Sequence, residues 1–299
     1  MRFKHGKTSA LIQLLTPGLL ALCAWGTVPV HAAALALRAP PGEVSTTPRQ
    51  ENAKAQLEHA TSVKKAMRGA EGEARERARD EAVRAYRAVR EYFAGDVALC
   101  AEAAFRAGEL LRSTDDTAGA QAEFTFARDR GAGTDFRVRA MLELAHLERR
   151  AKHAQPAIAA YESVIAEETA TARQKDDARL WLGRMFADLE RVPDARRVWQ
   201  KVADKGDDPL DRIRAFDLIA SSLVDSGDLE GAAGMLERCR ESLSEVSAEE
   251  TRLGERVRSS LAAMRSIEQL ARAIEKRRNE SETNDSKNTR GTKPAKRAQ

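Results

Sequence analysis

One short pattern returns along the middle of the chain at a nearly fixed interval. It is an alanine, three intervening residues and a large side chain. Ala82/Tyr86, Ala120/Phe124, Ala157/Tyr161, Ala195/Trp199 and Ala232/Leu236 succeed one another every 37 or 38 residues. Three positions beyond each large residue stand Val89, Ala127, Val164, Val202 and Cys239. A second column keeps the same interval: Ala107-Gly108, Leu144-Ala145, Leu182-Gly183 and Ile219-Ala220. Three residues beyond it come Leu111, Glu148, Phe186 and Leu223, with Glu148 alone breaking the apolar run. Spacings of three and four residues place side chains on one face of an α-helix. Two such faces per period define a helical hairpin. A lone hairpin cannot cover its own apolar surface, so a chain built this way must stack its units.

The segments between the two columns are turn-like: "STDDTAG", "AKHAQP", "ERVPD" and "DSGDLEG". Pro156 and Pro193 suit the first turn of a following helix, where the missing N–H has no partner to lose. Within each unit, helix A carries a Gly or Ala where helix B must come close, and helix B answers with its own Ala and a large residue. Aromatic residues make up 5% of the chain, so Ala, Leu and Val must build most of the core.

These columns resemble the tetratricopeptide repeat (TPR). Leu182, Gly183, Phe186, Ala195 and Trp199 match its pattern best, and "SGDLEGA" at 226–232 is similar to its usual inter-helix turn. The resemblance implies an all-α, right-handed α-solenoid of TPR-like hairpins with long N- and C-terminal helices. Departures are a period of 37–38 residues instead of 34, and Ala104, Met141, Arg179 and Phe216 in place of an early helix-A tryptophan. The extra residues fall in the turns between units. That longer spacing is similar to periplasmic TPR proteins such as barrel-assembly lipoproteins and the Tol-Pal-associated cell-division coordinator. Four TPR-like repeats are expected over 98–246, and a degenerate first repeat with a long helix over 51–97. A single amphipathic capping helix is expected over 247–278, with apolar residues from Leu253 to Ile274.

The ends read differently. Three cations and no acid mark the first 32 residues, and no charge occurs from Thr8 to Leu37. A cationic start, an apolar stretch and small residues around Val30-His31-Ala32 read as a secretory signal peptide over 1–32. The alternative is an uncleaved anchor, since the uncharged stretch is long enough to span a bilayer, although Pro17, Gly18 and Pro29 interrupt it. Leu22 before Cys23 is too large for a lipidation site. Residues 33–50 hold three prolines and read as a linker. Residues 279–299 are nearly devoid of apolar side chains and are expected to be a disordered basic tail. Of the formal net charge of +4, three units lie in the first 32 residues and a net five lie from Lys276 onward. The body between them is therefore slightly acidic, at −4. The pI of about 9.0 belongs to the ends, and a nucleic-acid partner is not expected.

No catalytic, nucleotide-binding or metal-binding spacing occurs, so neither enzyme activity nor a cofactor is expected. Cys239 falls in a packed column and Cys100 lies three units away, too far for an internal bridge in a solenoid. The resemblance implies a protein or peptide partner on the concave face lined by the A helices. It places Phe105, Glu109 and Arg112 there from the first good repeat, and Arg139, Leu142, His146 and Arg149 from the second. The third contributes Leu180, Trp181 and Arg184, and the fourth Asp217, Ser221 and Val224. Trp181 stands out because it lies off the Leu182/Phe186 column, and a Trp beside an Arg is a frequent interface anchor. Equally, a large aromatic there can simply pack against the next helix A. The helix-A asparagines with which co-chaperone members hold a peptide carboxylate are absent. Arg139, Arg149 and Arg184 still favour an acidic or C-terminal peptide. The reading is a non-catalytic scaffold in an exported, periplasmic assembly. A membrane-tethered or wall-associated spacer is the alternative, with membrane association only if the N-terminal segment stays uncleaved.

Overall fold

A computed structural model describes residues 47–291, with 283–291 as helical backbone only. The expected signal segment, most of the linker and the last eight residues of the tail lie outside the described residues. Thirteen helices and no strand occur among the described residues. They are α1 (Ala53–Ala66), α2 (Gly72–Tyr92), α3 (Val97–Arg112), α4 (Thr117–Arg130), α5 (Asp135–Arg150), α6 (Ala154–Ala166) and α7 (Ala172–Asp188). These are followed by α8 (Val192–Lys205), α9 (Pro209–Asp225), α10 (Leu229–Ser242), α11 (Ser244–Ala248), α12 (Arg252–Ala262) and α13 (Arg265–Gly291). From α1 to α10 each helix packs on its chain neighbours, and α3, α5, α7 and α9 also touch one another in series. The chain is an all-α solenoid of helical hairpins. Helices α1, α3, α5, α7 and α9 line one side of it in series.

The repeated columns are its core. Ala82, Ala120, Ala157, Ala195 and Ala232 are fully buried, as are Val89, Ala127, Val164, Val202 and Cys239. Tyr86, Phe124, Tyr161, Trp199 and Leu236 are buried beside them. The small helix-A residue makes room for the large helix-B residue. A Cβ added to Gly183 would stand 2.1 Å from Trp199 Nε1, and one added to Gly108 would stand 2.7 Å from the Phe124 ring. The Trp199 indole N–H donates to the Leu180 carbonyl at 3.1 Å, so the buried ring leaves no unpaired polar group.

Helix ends follow local chemistry. Asp96, Asp116, Asp208 and Asp228 cap α3, α4, α9 and α10 through their side chains, and Thr171 with Gln174 forms a capping box on α7. The hairpin turns share one left-handed position, at Asp115 (φ 60°), Lys152 (φ 60°), Glu190 (φ 59°) and Gly227 (φ 81°). Only the last is a glycine, although the conformation disfavours any side chain. Successive units are also tied at their edges. Arg137 and Arg212 donate to the carbonyls of Arg128 (2.9 Å) and Ala203 (3.1 Å), each at the end of the preceding helix B. The Cys100 thiol fills the same place one unit earlier, donating to Phe93 O at 3.3 Å. Cys100 and Cys239 are both free and buried.

Two regions differ from expectation and a third is filled in. The first repeat over 51–97 is a complete hairpin, and its long helix is α2, of 21 residues. The chain breaks at Gly69 (φ 81°) and Gly72 (φ 50°), conformations open to glycine, and α2 folds back on α1. Residues 247–278 hold two helices and part of a turn in place of one capping helix. Asp217 of α9 accepts from the Ser266 N–H (2.8 Å) and hydroxyl (2.6 Å), capping the start of α13 from outside its own segment. That break lets Val257, Met264 and Leu270 all reach the solenoid, while Leu253 and Ile274 stay exposed. Finally, α13 continues to Gly291, so 279–291 is helical and not a disordered tail. Pairs one turn apart support it as far as Glu282, Lys276–Glu280 at 4.0 Å and Arg278–Glu282 at 3.8 Å.

A further tie escaped the sequence reading. Glu123 on α4, 2% exposed, receives Arg87 Nε at 2.7 Å and both terminal nitrogens of Arg90 at 2.6 and 2.9 Å, joining two successive B helices. Removing the carboxylate takes away three charge-assisted hydrogen bonds but leaves two partly exposed guanidinium groups that water can reach, and Glu123→Ala is expected to destabilise by about 1–3 kcal/mol in urea unfolding.

Gly183→Ala is expected to destabilise by about 1–3 kcal/mol through overpacking. The cost should shrink in a Trp199→Leu background, which removes the ring, so the double-mutant cycle should show clear coupling; strict additivity would contradict the contact. Glu190→Gly is expected to stabilise by about 0.5–1 kcal/mol, read as a higher urea midpoint, because the left-handed turn no longer carries a Cβ. A lower midpoint would contradict the turn geometry.

Candidate functional site

The face shared by α3, α5, α7 and α9 holds a run of aromatic rings covered by arginines. At its α3–α5 end, Phe105 lies against Phe124 (centroids 5.5 Å) and Phe136 (5.7 Å). The Arg139 guanidinium lies 4.4 Å from the Phe105 centroid and 5.1 Å from that of Phe136. Phe105 itself is 3% exposed, and Leu142 and Leu180 are also buried. The structure therefore packs these three expected contact residues inside and leaves Arg139 as the surface of that part of the face.

Trp181 occupies the α5–α7 part of the face and is half-buried. Arg149 from α5 lies 4.1 Å from its ring centroid, and Arg184 from α7 lies 4.5 Å from it. His146 meets the ring edge-on at 5.4 Å. Trp181 thus packs against the neighbouring helix A and still presents surface, so the two sequence readings of this residue coexist. Cation–π contacts of this kind hold the guanidinium groups flat on the ring, and the N–H groups not already committed, as Arg149 commits one to Tyr161, can meet a carboxylate or phosphate. Among the described residues neither Arg149 nor Arg184 has a carboxylate within 4.0 Å, and Arg149 Nε is buried without a hydrogen-bond partner. Burial, reinforced by Arg214 and Arg149 and opposed by Asp177 and Asp188, pushes the Arg184 pKa below its ordinary value. An anion brought to it would relieve that destabilised charge.

Beneath the ring lies a polar relay. The Tyr161 hydroxyl is 2.7 Å from His146 Nδ1. Burial is the main cause that holds the His146 pKa down, to about 4, with Arg149, Arg150 and Arg112 adding to it. Burial likewise raises the Tyr161 pKa to about 12, against a hydrogen bond from Arg149. Near neutral pH the histidine is therefore uncharged and the tyrosine protonated. With Arg149 donating to the phenol oxygen, the phenol O–H donates to Nδ1, and the ring proton resides on Nε2.

Carboxylates frame the arginines. Asp177 has its pKa raised by burial and by Asp211, and Asp211 by burial and by Asp208. Glu143 is raised by burial, opposed by Arg112, which lies 3.2 Å away. The remaining expected residues are committed elsewhere or sit at the margins. Glu109 pairs with Arg106 at 3.4 Å, Asp217 caps α13, and Ser221 and Val224 are half-buried toward the α9 end. Sequence reasoning missed Phe136, Asp177 and Arg214. Their signal was present in the repeat: Glu102, Arg139, Asp177 and Arg214 stand at equivalent positions of successive units and alternate in sign. No group of three or more His, Cys, Asp or Glu suited to a metal ion occurs among the described residues, and no described helix is long and apolar enough to cross a membrane.

No family model matches the chain, and no curated protein matches it in sequence. Solved structures that it is similar to include a crystal structure of MamA protein, at 18% identity and a TM-score of 0.47, covering 66% of this chain and 97% of that one. A kinesin light chain from Podosopora anserina with nearly identical TPR-like repeats is 15% identical, with a TM-score of 0.47, covering 67% of this chain and all of the other. BtubC (BKLC) from P. vanneervenii is 14% identical, with a TM-score of 0.46, over 84% of this chain and 97% of its own.

The His146 shift has a definite sign. The folded pKa of about 4 lies below the ordinary 6.5, so the unfolded chain binds the proton more readily between those values. Stability therefore rises with pH across that window, by at most roughly 1.4 kcal/mol per pH unit, and falls as pH drops from 6.5 toward 4. His146→Gln should remove this contribution. The difference between wild-type and variant unfolding free energies is expected to grow as pH rises from 4 to 6.5 and then level off. A flat difference curve would contradict the buried, neutral histidine.

Proposed function

We propose that the chain is a non-catalytic scaffold that holds an acidic protein or peptide segment on the α3–α9 face in an exported, periplasmic envelope assembly. The observation that carries this reading is the half-buried Trp181 with Arg149 and Arg184 laid over it, neither guanidinium satisfied by a carboxylate of the described chain. Interface energy concentrates in buried Trp and Arg anchors, and here both types are already packed against one another. A carboxylate side chain or terminus reaching the two arginines gains charge-assisted, potentially bidentate bonds while an apolar neighbour covers the ring. The exported location rests on the cationic start, the uncharged stretch from Thr8 to Leu37 and the small residues at 30–34.

The site is tested by affinity capture from an envelope extract with wild type and with Trp181→Ala/Arg184→Ala. The variant is expected to lose at least about tenfold of the specific partner while unfolding cooperatively, as removal of an anchor pair predicts. An unchanged partner set would place the binding face elsewhere. N-terminal sequencing with membrane fractionation tests the location. A soluble mature chain beginning near Ala33 is expected, and an intact N-terminus in the membrane fraction would support the tethered spacer instead.

A further inference from the structure

A cavity of about 590 Å³ opens at the other end of the solenoid, among α1, α2 and α3. Its wall is cationic. Lys64 and Lys65 come from the last turn of α1, Arg68 from the turn that follows, Arg75 from the start of α2 and Arg106 from α3. Glu102 is the single carboxylate on the wall, and it is already shared with Arg106 at 3.4 Å. Lys64, Lys65, Arg68 and Arg75 have no carboxylate within 4.0 Å among the described residues, in a body whose net charge is slightly negative. Met67 and Tyr86 supply an apolar rim and floor.

A helix C-terminus favours nearby cations, which accounts for Lys64 and Lys65. It does not account for Arg68 and Arg75, which lie beyond the end of α1 and converge on the same space. Solvent screens these largely exposed side chains from one another, and together they present an uncompensated positive wall to any anion entering the cavity. A single carboxylate would neutralise one of them. A phosphate ester or diphosphate brings two or more charges, with oxygens that suit both the lysine point charges and the arginine forks. We infer that this cavity is a binding site for a multiply charged, phosphate-bearing anion. The site is separate from the Trp181 face and does not depend on the function proposed for it.

The chemistry is shared by a free phosphate compound and by a phospholipid headgroup, and the test has an arm for each. The full chain is titrated calorimetrically with pyrophosphate at constant ionic strength. In parallel it is co-sedimented with phosphatidylcholine vesicles with and without phosphatidylglycerol. Lys64→Gln/Arg68→Gln is compared with Lys201→Gln/Lys205→Gln, an equal loss of charge on exposed positions of α8. Saturable binding is expected in at least one arm, weakened at least about tenfold by the first variant and unmoved by the second, as loss of two charge-assisted contacts predicts. Thermal unfolding of both variants should match wild type, because these side chains are partly or fully exposed. No saturable binding in either arm, or binding that the two variants affect equally or not at all, would overturn the site.

Discussion

The hairpins of this protein depend on a close approach, in which a large helix-B side chain lies where helix A carries only a glycine or a fully buried alanine (Gly108, Ala145, Gly183 and Ala220). Gly183 beneath Trp199 is the tightest case, and Gly108 beneath Phe124 repeats it. Interiors at crystal-like density do not absorb an extra methyl group at such a point. The approach fixes the distance between the helices of a unit, and the fully buried Ala and Val columns then set where the next unit docks. Since each unit is held mainly by its neighbours, errors in this contact propagate along the stack.

That same geometry creates the candidate binding face. Because the packing columns of the A helices point toward their B partners, other positions on those helices are released to the shared face. Trp181 is one residue from the packed Leu182 and two from Gly183, yet it reaches Arg149, Arg184 and His146 instead of the hairpin interior. The sign alternation of Glu102, Arg139, Asp177 and Arg214 follows the same period, one charge at the equivalent position of each successive helix A. Burial raises the acids Glu143 and Asp177 and depresses Arg184, so the face is electrostatically frustrated in its middle. A charged partner segment acts on that imbalance.

Much of the architecture was legible because a repeat states the same physical requirement several times. Ala195 and Trp199 alone mean little, whereas five copies at 37–38 residues leave few alternatives to a stacked hairpin. What was not legible involved long-range partners or backbone conformation without a residue signature. Asp115, Lys152 and Glu190 adopt a left-handed turn that glycine marks only at Gly227. Apolar periodicity ran unbroken through 253–274, so the split between α12 and α13 was hidden; it is stabilised by Asp217, some fifty positions earlier in the chain. Charge counting predicted a disordered tail but is blind to the one-turn pairs that extend α13. At the candidate site, position identified Trp181, Arg149 and Arg184. The burial of Phe105, Leu142 and Leu180 depended on how far each neighbouring unit leans over, which one unit's pattern does not contain.

Two tryptophans eighteen positions apart thus hold opposite offices, Trp199 in the scaffold and Trp181 on its surface. Their separate truncation to alanine, followed by urea unfolding of each variant, tests that division most directly. Trp199→Ala should cost about 3–5 kcal/mol, as loss of a fully packed aromatic does. Trp181→Ala should cost less than half as much, since its ring is only half-buried at the shared face and fills no hairpin interior. Equal losses, or a larger loss for Trp181, would contradict the account.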